Sequence, residues 1–431
     1  MVVSFMPSCF NLSQPPCHSK HISRHIASNI RRPCIRRPQI LSSAHEDAVG
    51  LRVFVLSDLH TDYAENMKWV KSLSADRYKN DVLLVAGDVA ETYNNFLLTM
   101  SLLKDRFEHV FYVPGNHDLW CRRDGEDNLT MLSDVISMAL VWDMIIYIYI
   151  YITCLFDVIT KPDSLQKLNC LLDACRTLGV VSNPMIIDDL GIIPLLSWYH
   201  ESFDREMDIP NIRIPSLEMV IHSPSAFWVA CKDFNACKWP GELSNADDSL
   251  ALYFDSLNDM HSDVIKQIKK VCSQIITFSH FVPRQELCPE KRMLFYPKLP
   301  KIIGSESLEF RIRSIHGVDG SGSACHVFGH THFCWDAVID GVRYVMPLLS
   351  PLGISLKNFA CKYVQAPLAY PRERKRMMNG GEDWLPFCIY SGGKLSDRIS
   401  PCYWSDYYSF NPRTPRNTQL APWVARFYNR T

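Results

Sequence analysis

The stretch LRVFVLSDLH (residues 51–60) joins an apolar run, typical of a buried strand, to two polar residues, Asp58 and His60. Four further apolar runs have the same texture and also end in small or polar residues: DVLLVAG (81–87), HVFYVPG (109–115), QIITFSH (274–280) and ACHVFGH (324–330). Each run is short and continuous, as expected for a strand covered on both faces. The sequence therefore predicts a sheet with a buried centre.

Helical segments separate several of these strands. Residues 62–76 and 163–179 space their apolar side chains as amphipathic helices do. The second segment begins at Asp163, a good N-cap residue, and ends at Gly179, a good C-terminal residue. Strands that alternate with helices predict a layered α/β domain.

The residues that follow the strands are polar and belong to few chemical types. They are Asp58, His60, Asp88, Asn116, His117, Asp118, His280, His330 and His332. In α/β sheets, ligands bind beyond the carboxyl ends of the strands. We therefore expect these residues, although distant in the sequence, to meet at one edge of the domain.

This set of side chains is suited to metal binding. Carboxylate and amide oxygens with imidazole nitrogens favour Mn, Fe or Zn over a cysteine-type structural zinc site. Seven candidate ligands are too many for one catalytic ion, but they suit two ions with a bridging carboxylate, about 3.5 to 4 Å apart. Such a pair holds a nucleophilic hydroxide and clamps phosphate oxygens, so the predicted reaction is phosphoester hydrolysis. Gly87, Gly115 and Gly329 lie beside the ligands and would allow close backbone approach.

Five short motifs occur in a fixed order: D-x-H at 58–60, G-D at 87–88, G-N-H-D at 115–118, a single His280, and G-H-x-H at 329–332. Together they resemble the pattern of the calcineurin-like metallophosphoesterase superfamily, and the resemblance covers residues 51–357. It implies a four-layer α/β sandwich, with two mixed β-sheets flanked by helices.

The resemblance also implies roles for individual residues. Asp58, His60 and His332 would bind one divalent metal ion, Asn116, His280 and His330 would bind the other, and Asp88 would bridge them. His117, oriented by Asp118, would stabilise the transition state or protonate the leaving group, which suits an imidazole near neutral pH.

Two departures narrow the subclass. Protein Ser/Thr phosphatases of the superfamily carry G-D-x-V-D-R-G and G-N-H-E. This chain reads AGDVAETYNN at 86–95, without that arginine, and GNHD at 115–118. The sequence therefore looks like the broader phosphoesterase branch, an enzyme acting on a small phosphomonoester, phosphodiester or nucleotide. A protein phosphatase and a non-catalytic interaction module remain alternatives.

Composition restricts partners and location. The 45 basic and 46 acidic residues argue against dedicated nucleic-acid binding, which needs a concentrated positive surface. The 16 cysteines are scattered, as expected for buried thiols in a reducing compartment.

Residues 1–46 are basic and rich in serine, with no acidic residue before Glu46, which is typical of a plastid or mitochondrial transit peptide. The alternative is a disordered basic arm on a cytoplasmic protein.

Residues 144–156, MIIYIYIYITCLF, are the most apolar stretch of the chain. They are shorter than the roughly 20 residues needed to span a bilayer, so we predict no membrane span. The surrounding residues 131–162 stand where a polar loop is expected. Ile-Tyr repetition is also what an alternating A/T tract encodes, and we hypothesise that 131–162 is translated intron sequence absent from the working enzyme.

Two further regions show neither the apolar runs of the predicted strands nor the spacing of the predicted helices. Residues 211–249 contain interspersed Trp, Pro and Cys residues and could form a cap or lid beside the site. Residues 358–431 are predicted to be a C-terminal extension packed on the domain, in which YPRERKR (370–376) is interpreted as a solvated charge run. Arg284 is interpreted as a surface residue, with contact to a substrate phosphate as the alternative. The sequence leaves the oligomeric state open.

Overall fold

A computed structural model describes residues 50–121, 163–214, 216–217, 231–317, 324–340, 360–377, 379–396, 399 and 402–429. The predicted leader (1–46) and the anomalous apolar segment (131–162) lie outside these residues, as does the middle of the predicted cap (211–249).

Eleven strands occur in the described ranges: β1 (Arg52–Leu56), β2 (Val82–Ala86), β3 (His109–Val113), β4 (Met185–Ile187), β5 (Leu190–Pro194), β6 (Gln274–Phe278), β7 (Ala324–Phe328), β8 (Trp335–Asp340), β9 (Ala360–Gln365), β10 (Phe387–Ser391) and β11 (Lys394–Leu395). The five strands predicted from apolar runs are β1, β2, β3, β6 and β7, which confirms those predictions. Strands β2 and β7 are buried along their whole length, which explains why their sequences are continuously apolar rather than alternating.

The strands form two mixed sheets. The first has the order β11-β10-β1-β2-β3, with β1, β2 and β3 parallel and β10 antiparallel to β1. The second has the order β4-β5-β6-β7-β9-β8, with parallel pairing from β5 to β9 and an antiparallel strand at each edge. The predicted pair of mixed sheets flanked by helices is confirmed.

The described helices are α1 (Ala64–Ser72), α2 (Tyr93–Lys104), α3 (Ser164–Leu178), α4 (Asp233–Ala236), α5 (Ser249–Leu257), α6 (Ser262–Val271), α7 (Glu306–His316), α8 (Pro371–Lys375), α9 (Tyr403–Phe410) and α10 (Pro422–Tyr428). Helix α3 confirms the predicted termini. The Asp163 side chain accepts from the backbone N–H groups of Leu165 and Gln166, and Gly179 ends the helix at φ 71°. None of the helices in the described part of the chain is long and apolar enough to cross a bilayer.

Two groups of buried side chains hold the layers together. The larger group contains side chains from both sheets, such as Leu84 of β2, Ile276 of β6 and Val327 of β7. The other packs Ile193 of β5 against Ile268 of α6 and other residues of α6 and α7. The sheets therefore share one core, and helices cover the second sheet.

The sheets extend beyond residue 357, where the resemblance ends. Strand β9 lies between β7 and β8 in the second sheet, and β10 pairs with β1 in the first. Strands β9, β10 and β11 therefore belong to the two sheets although they lie within the predicted C-terminal extension (358–431), because the buried edges of β1 and β7 need hydrogen-bonding partners.

Candidate metal centre

The predicted ligands follow the carboxyl ends of five strands, and the structure brings them together. Asp58 and His60 follow β1, Asp88 follows β2, Asn116 follows β3, His280 follows β6, and His330 and His332 follow β7. All seven side chains are buried, with at most 4% of any residue exposed. Parallel strands of two adjacent sheets end here, so residues far apart in sequence become neighbours.

The ligands form two groups that share one residue. Asp58, His60, Asp88 and His332 each offer an atom within 4.8 Å of the others, and Asp88, His280 and His330 do the same. In the first group, His60 Nε2 lies 2.9 Å from His332 Nε2. Asp88 therefore stands between two sets of metal-binding atoms.

Asn116 belongs to the second group. Its Oδ1 lies 3.2 Å from His280 Nε2 and 3.0 Å from His330 Nδ1. Its amide nitrogen donates to Asp233 Oδ1 at 2.9 Å, which turns the oxygen towards the two imidazoles. The amide oxygen is thus oriented as a metal ligand.

The surroundings of the Asp88 carboxylate show whether a cation fits between the two groups of ligands. Its Oδ2 is fully buried and has no hydrogen-bond partner among the described residues. Burial raises the pKa of Asp88 well above its usual value, and the nearby charges of Asp118 and Asp58 add to the rise. A buried carboxylate oxygen without a donor is costly, and a divalent ion would satisfy it. The residues present therefore fit a metal centre.

Three of the imidazoles are bonded through the nitrogen that points away from the cluster. His280 Nδ1 lies 2.9 Å from the Ala86 carbonyl, His330 Nε2 lies 2.9 Å from the Ile302 carbonyl, and His332 Nδ1 lies 2.7 Å from Glu373 Oε2. An N–H donated outwards leaves the inner nitrogen with a lone pair for a metal. The outer contacts thus fix both the ring orientation and the tautomer that a metal needs.

The pKa values of two of these histidines shift in opposite directions. Burial lowers the pKa of His330 to about 3. Burial also opposes charge on His332, but the carboxylates of Glu373 and Asp58 outweigh it and raise the pKa of His332 to about 10. A metal at His332 must therefore displace a proton at neutral pH.

The backbone of the centre adopts unusual conformations. Asp58, His60, Asp88, His330 and His332 all have positive φ, at 54°, 43°, 54°, 78° and 59°. Such φ values are uncommon outside glycine and cost about 1 to 3 kcal/mol each. Strain of this kind persists where the surrounding structure enforces it, which is a property of functional sites.

The three glycines predicted beside the ligands all lie at close approaches; a Cβ on Gly329 would lie 2.7 Å from the Ala86 carbonyl oxygen. A Cβ on Gly87 would lie 2.4 Å from His280 Nδ1, and one on Gly115 would lie 2.2 Å from Asp88 Oδ1. No side chain fits at either position without moving a ligand.

His117 lies beside the cluster rather than in it. Its Nε2 is 3.9 Å from Asp88 Oδ2 and 3.3 Å from the Tyr370 hydroxyl, and its Nδ1 is 3.2 Å from Glu91 Oε1. The ring also packs on Trp120, with centroids 3.7 Å apart. Burial lowers the pKa of His117 well below its usual value.

The contacts of Asp118 differ from the prediction that it orients His117. Its carboxylate accepts hydrogen bonds from four backbone N–H groups and from the Tyr112 hydroxyl; the N–H groups are those of Asp88, Val89, Ala90 and Gly115. Asp118 therefore holds the loop that carries Asp88, whereas the His117 ring is held by Glu91, Tyr370 and Trp120. Side-chain direction after a strand end is not readable from a four-residue motif, which is why the sequence misassigned this contact.

Sequence reasoning missed three side chains at the centre: Asp233, Tyr370 and Glu373. Tyr370 and Glu373 lie in the segment interpreted as a solvated charge run, yet they are 7% and 8% exposed. Asp233 lies in the region predicted as a cap and also accepts from the Trp120 indole. In the sequence, each of these residues is only a carboxylate or phenol in a segment without strand character. Such residues are too common to be identified as part of a site.

Arg284 differs from its interpretation as a surface residue. It is 6% exposed, and its guanidinium pairs with Glu286 at 3.1 Å and Glu309 at 3.4 Å. The two carboxylates hold the guanidinium in place.

Parts of this chain are similar to known proteins. Residues 51–179 match the family model of the calcineurin-like phosphoesterases. Over 77 residues the chain is 43% identical to the [acyl-carrier-protein] phosphodiesterase PptH of Mycobacterium tuberculosis, a match that covers 17% of this chain and 24% of that protein's length. The crystal structure of the phosphopantetheinyl hydrolase PptH from the same organism aligns with 80% of this chain and 99% of its own, with 20% identity and a TM-score of 0.48.

Proposed function

We propose that this chain, which carries a calcineurin-like phosphoesterase domain beginning at residue 51, hydrolyses a phosphomonoester or phosphodiester with two divalent metal ions. The observation that carries the proposal is the position of Asp88, which is shared by two groups of ligand atoms and has a buried oxygen in need of a cation. A shared carboxylate between two ligand sets is the arrangement that a two-metal hydrolase requires.

Asp58, His60 and His332 would hold one ion, Asn116, His280 and His330 the other, and Asp88 both. When bound, such a pair lowers the pKa of a water nucleophile and stabilises the charge on a phosphoryl group. Mn, Fe and Zn all suit this mixture of oxygen and nitrogen ligands.

The protein's own part in the reaction rests on His117. Its Nε2 faces the cluster, close enough to Asp88 that a substrate held over that carboxylate would meet it. From there Nε2 can give its proton to the leaving-group oxygen as the P–O bond breaks. The imidazole packs on Trp120 and is buried, so water is excluded from it. This strengthens its interaction with a developing negative charge.

The test is metal-reconstituted protein assayed with p-nitrophenyl phosphate and bis-p-nitrophenyl phosphate. Asp88→Asn should abolish turnover of both esters, while His261→Ala, on the connection between α5 and α6, should leave it unchanged. His117→Ala should lower turnover of an alkyl phosphate ester about 10²- to 10⁴-fold, because an alkoxide needs a proton as it departs. Stoichiometric metal binding without turnover of either ester would instead support the non-catalytic interaction module.

The curated relative suggests a finer candidate substrate. Its name describes a phosphodiesterase of acyl carrier protein. A phosphodiester carried by a protein has the predicted bond type but goes beyond the small substrates predicted from the sequence. We therefore include acyl carrier protein bearing a phosphopantetheinyl group among the substrates, with the intact mass of the carrier as the readout. An unchanged carrier mass together with rapid turnover of small esters would restrict the proposal to small substrates.

Two proposals concern segments outside the described residues. Residues 1–46 are proposed to direct the protein to a plastid or mitochondrion, which a fusion of this segment to a fluorescent protein would test by microscopy. Residues 131–162 are proposed to be translated intron sequence. Recovery of peptides from 140–160 at normal abundance from native tissue would contradict that.

A further inference from the structure

Tyr370 enters the centre from a segment about 250 residues after His117. The chain before it is tied to the loop that carries the first ligand, because Leu368 N–H donates to the Ser57 carbonyl and Ala369 N–H to the Asp58 carbonyl. The Asn66 amide donates to the Ala369 carbonyl at 3.0 Å, and the Arg374 guanidinium donates to Asn66 Oδ1 at 2.7 Å. Tyr370 is thus fixed on both sides by buried hydrogen bonds.

The Tyr370 side chain lies among the candidate ligands. Its ring packs on His60 with centroids 4.5 Å apart, and edge-on against His332 at 4.8 Å. Its hydroxyl lies 3.3 Å from His117 Nε2, the nitrogen that faces Asp88. Ring contacts therefore hold the phenol in place, and its oxygen lies beside His117 Nε2, the atom expected to meet the leaving group.

Several separate contacts restrain the His117 ring. Trp120 packs on its face and fixes the ring plane, and Glu91 meets Nδ1. Tyr370 meets Nε2 and completes the set. A carboxylate such as Glu91 only accepts a hydrogen bond when ionised, whereas a phenol both donates and accepts. Tyr370 can therefore keep its contact with Nε2 whether or not that nitrogen carries a proton.

We propose that Tyr370 is a positioning residue for His117, holding Nε2 where it gives its proton to the leaving-group oxygen. This inference rests on the proposed hydrolase function. In the step concerned, water adds to phosphorus and the P–O bond to the leaving group breaks, with its electron pair going to the leaving oxygen. The imidazolium form of His117, with one N–H directed to Glu91 and the other at Nε2, gives its Nε2 proton to that oxygen, and the proton released by water restores the imidazolium.

The proposal predicts a dependence on the leaving group. An alkoxide needs a proton as it departs, whereas p-nitrophenolate is stable without one. Tyr370→Phe keeps the ring on His60 and removes only the hydroxyl. We expect kcat for an alkyl phosphate ester to fall about tenfold or more, a fraction of the full contribution of a general acid. For p-nitrophenyl phosphate, kcat should stay within about twofold, and KM should change for neither ester.

Tyr63→Phe is the matched control, because Tyr63 presents a half-exposed ring to Tyr370. It should behave as wild type with both esters. In a His117→Ala background, Tyr370→Phe should cause no further loss on the alkyl ester, since a positioning residue acts only through its partner. A readout that does not depend on activity is the ¹⁵N chemical shift of His117 Nε2 in metal-free protein, which should move in Tyr370→Phe and not in Tyr63→Phe.

Equal losses on the two esters, additivity with His117→Ala or an unchanged Nε2 shift would overturn the proposal. Wild-type turnover of the nitrophenyl ester without turnover of the alkyl ester would overturn it too, while leaving the hydrolase function intact. Absence of turnover for both esters in metal-loaded wild type would remove the proposed function itself.

Discussion

Glu373 offers the sharpest test of how the centre is supported. Its Oε2 lies 2.7 Å from His332 Nδ1, and the pair is nearly excluded from water. Replacing Glu373 with Gln keeps the size of the side chain and a carbonyl acceptor, but removes the negative charge. Loss of such an outer partner typically lowers metal affinity tenfold to hundredfold, about 1.4 to 2.7 kcal/mol.

Two effects of the charge oppose each other. Glu373 strengthens the attraction of His332 for a cation, and together with Asp58 it overcomes burial to raise the pKa of His332 to about 10. Below that pH a proton competes with the metal, so Glu373→Gln weakens this competition as well. We therefore expect a net loss near the lower limit, about tenfold at pH 7. The deficit should widen as pH rises towards 10, because competition from the proton then weakens more in wild type than in the variant.

The assay is competition against a fluorescent chelator for Mn or Zn, at pH 6.5 and pH 8.5. Glu382→Gln is the control, since Glu382 pairs with Arg374 and is half-exposed, whereas His332 Nδ1 bonds to Glu373. The melting temperatures of the two variants should agree. Metal affinity within twofold of wild type at both pH values would refute the reasoning that Glu373 supports His332.

Other expectations follow from the same geometry. Asp88→Asn should reduce the metal content of both sites, as measured by elemental analysis after dialysis; retention of two full equivalents would contradict a bridging role. Gly115→Ala should abolish activity, because the added Cβ would lie 2.2 Å from Asp88 Oδ1, whereas Gly50→Ala, with nothing within 4 Å, should match wild type in the same kinetic assay. Asp163→Ala should lower the free energy of unfolding by about 1 kcal/mol in urea titrations while leaving kcat unchanged, since it removes a helix cap and no site contact.

The sequence was sufficient for the parts of the centre that are local to a strand end. Asp58 and Asp88 each stand two residues beyond an apolar run, so strand prediction alone places them at one edge of the sheet. The glycines beside them follow from the need for close backbone approach. Such positions are readable because one short segment contains both the strand and the ligand.

Contacts between distant segments were not readable. Arg374 was interpreted as a solvated charge, but it is buried between Asn66 and Glu382. Tyr370 and Glu373 reach the centre only because the chain between β9 and β10 passes across the ends of the other strands. Nothing in the local composition separates such a segment from an exposed basic loop, because its burial is decided by partners elsewhere in the chain.

The antiparallel pairing of β1 with β10 joins Arg52 to Ser391, which has a consequence for synthesis on the ribosome. At about 5 to 20 residues per second, the partner strand follows β1 by a time on the order of tens of seconds. An unpaired strand edge is a template for association with other chains. The unpaired edge of β1 therefore exposes the nascent chain to aggregation for most of its translation. Tyr370 and Glu373 emerge shortly before β10, so metal loading becomes a late, largely post-translational event.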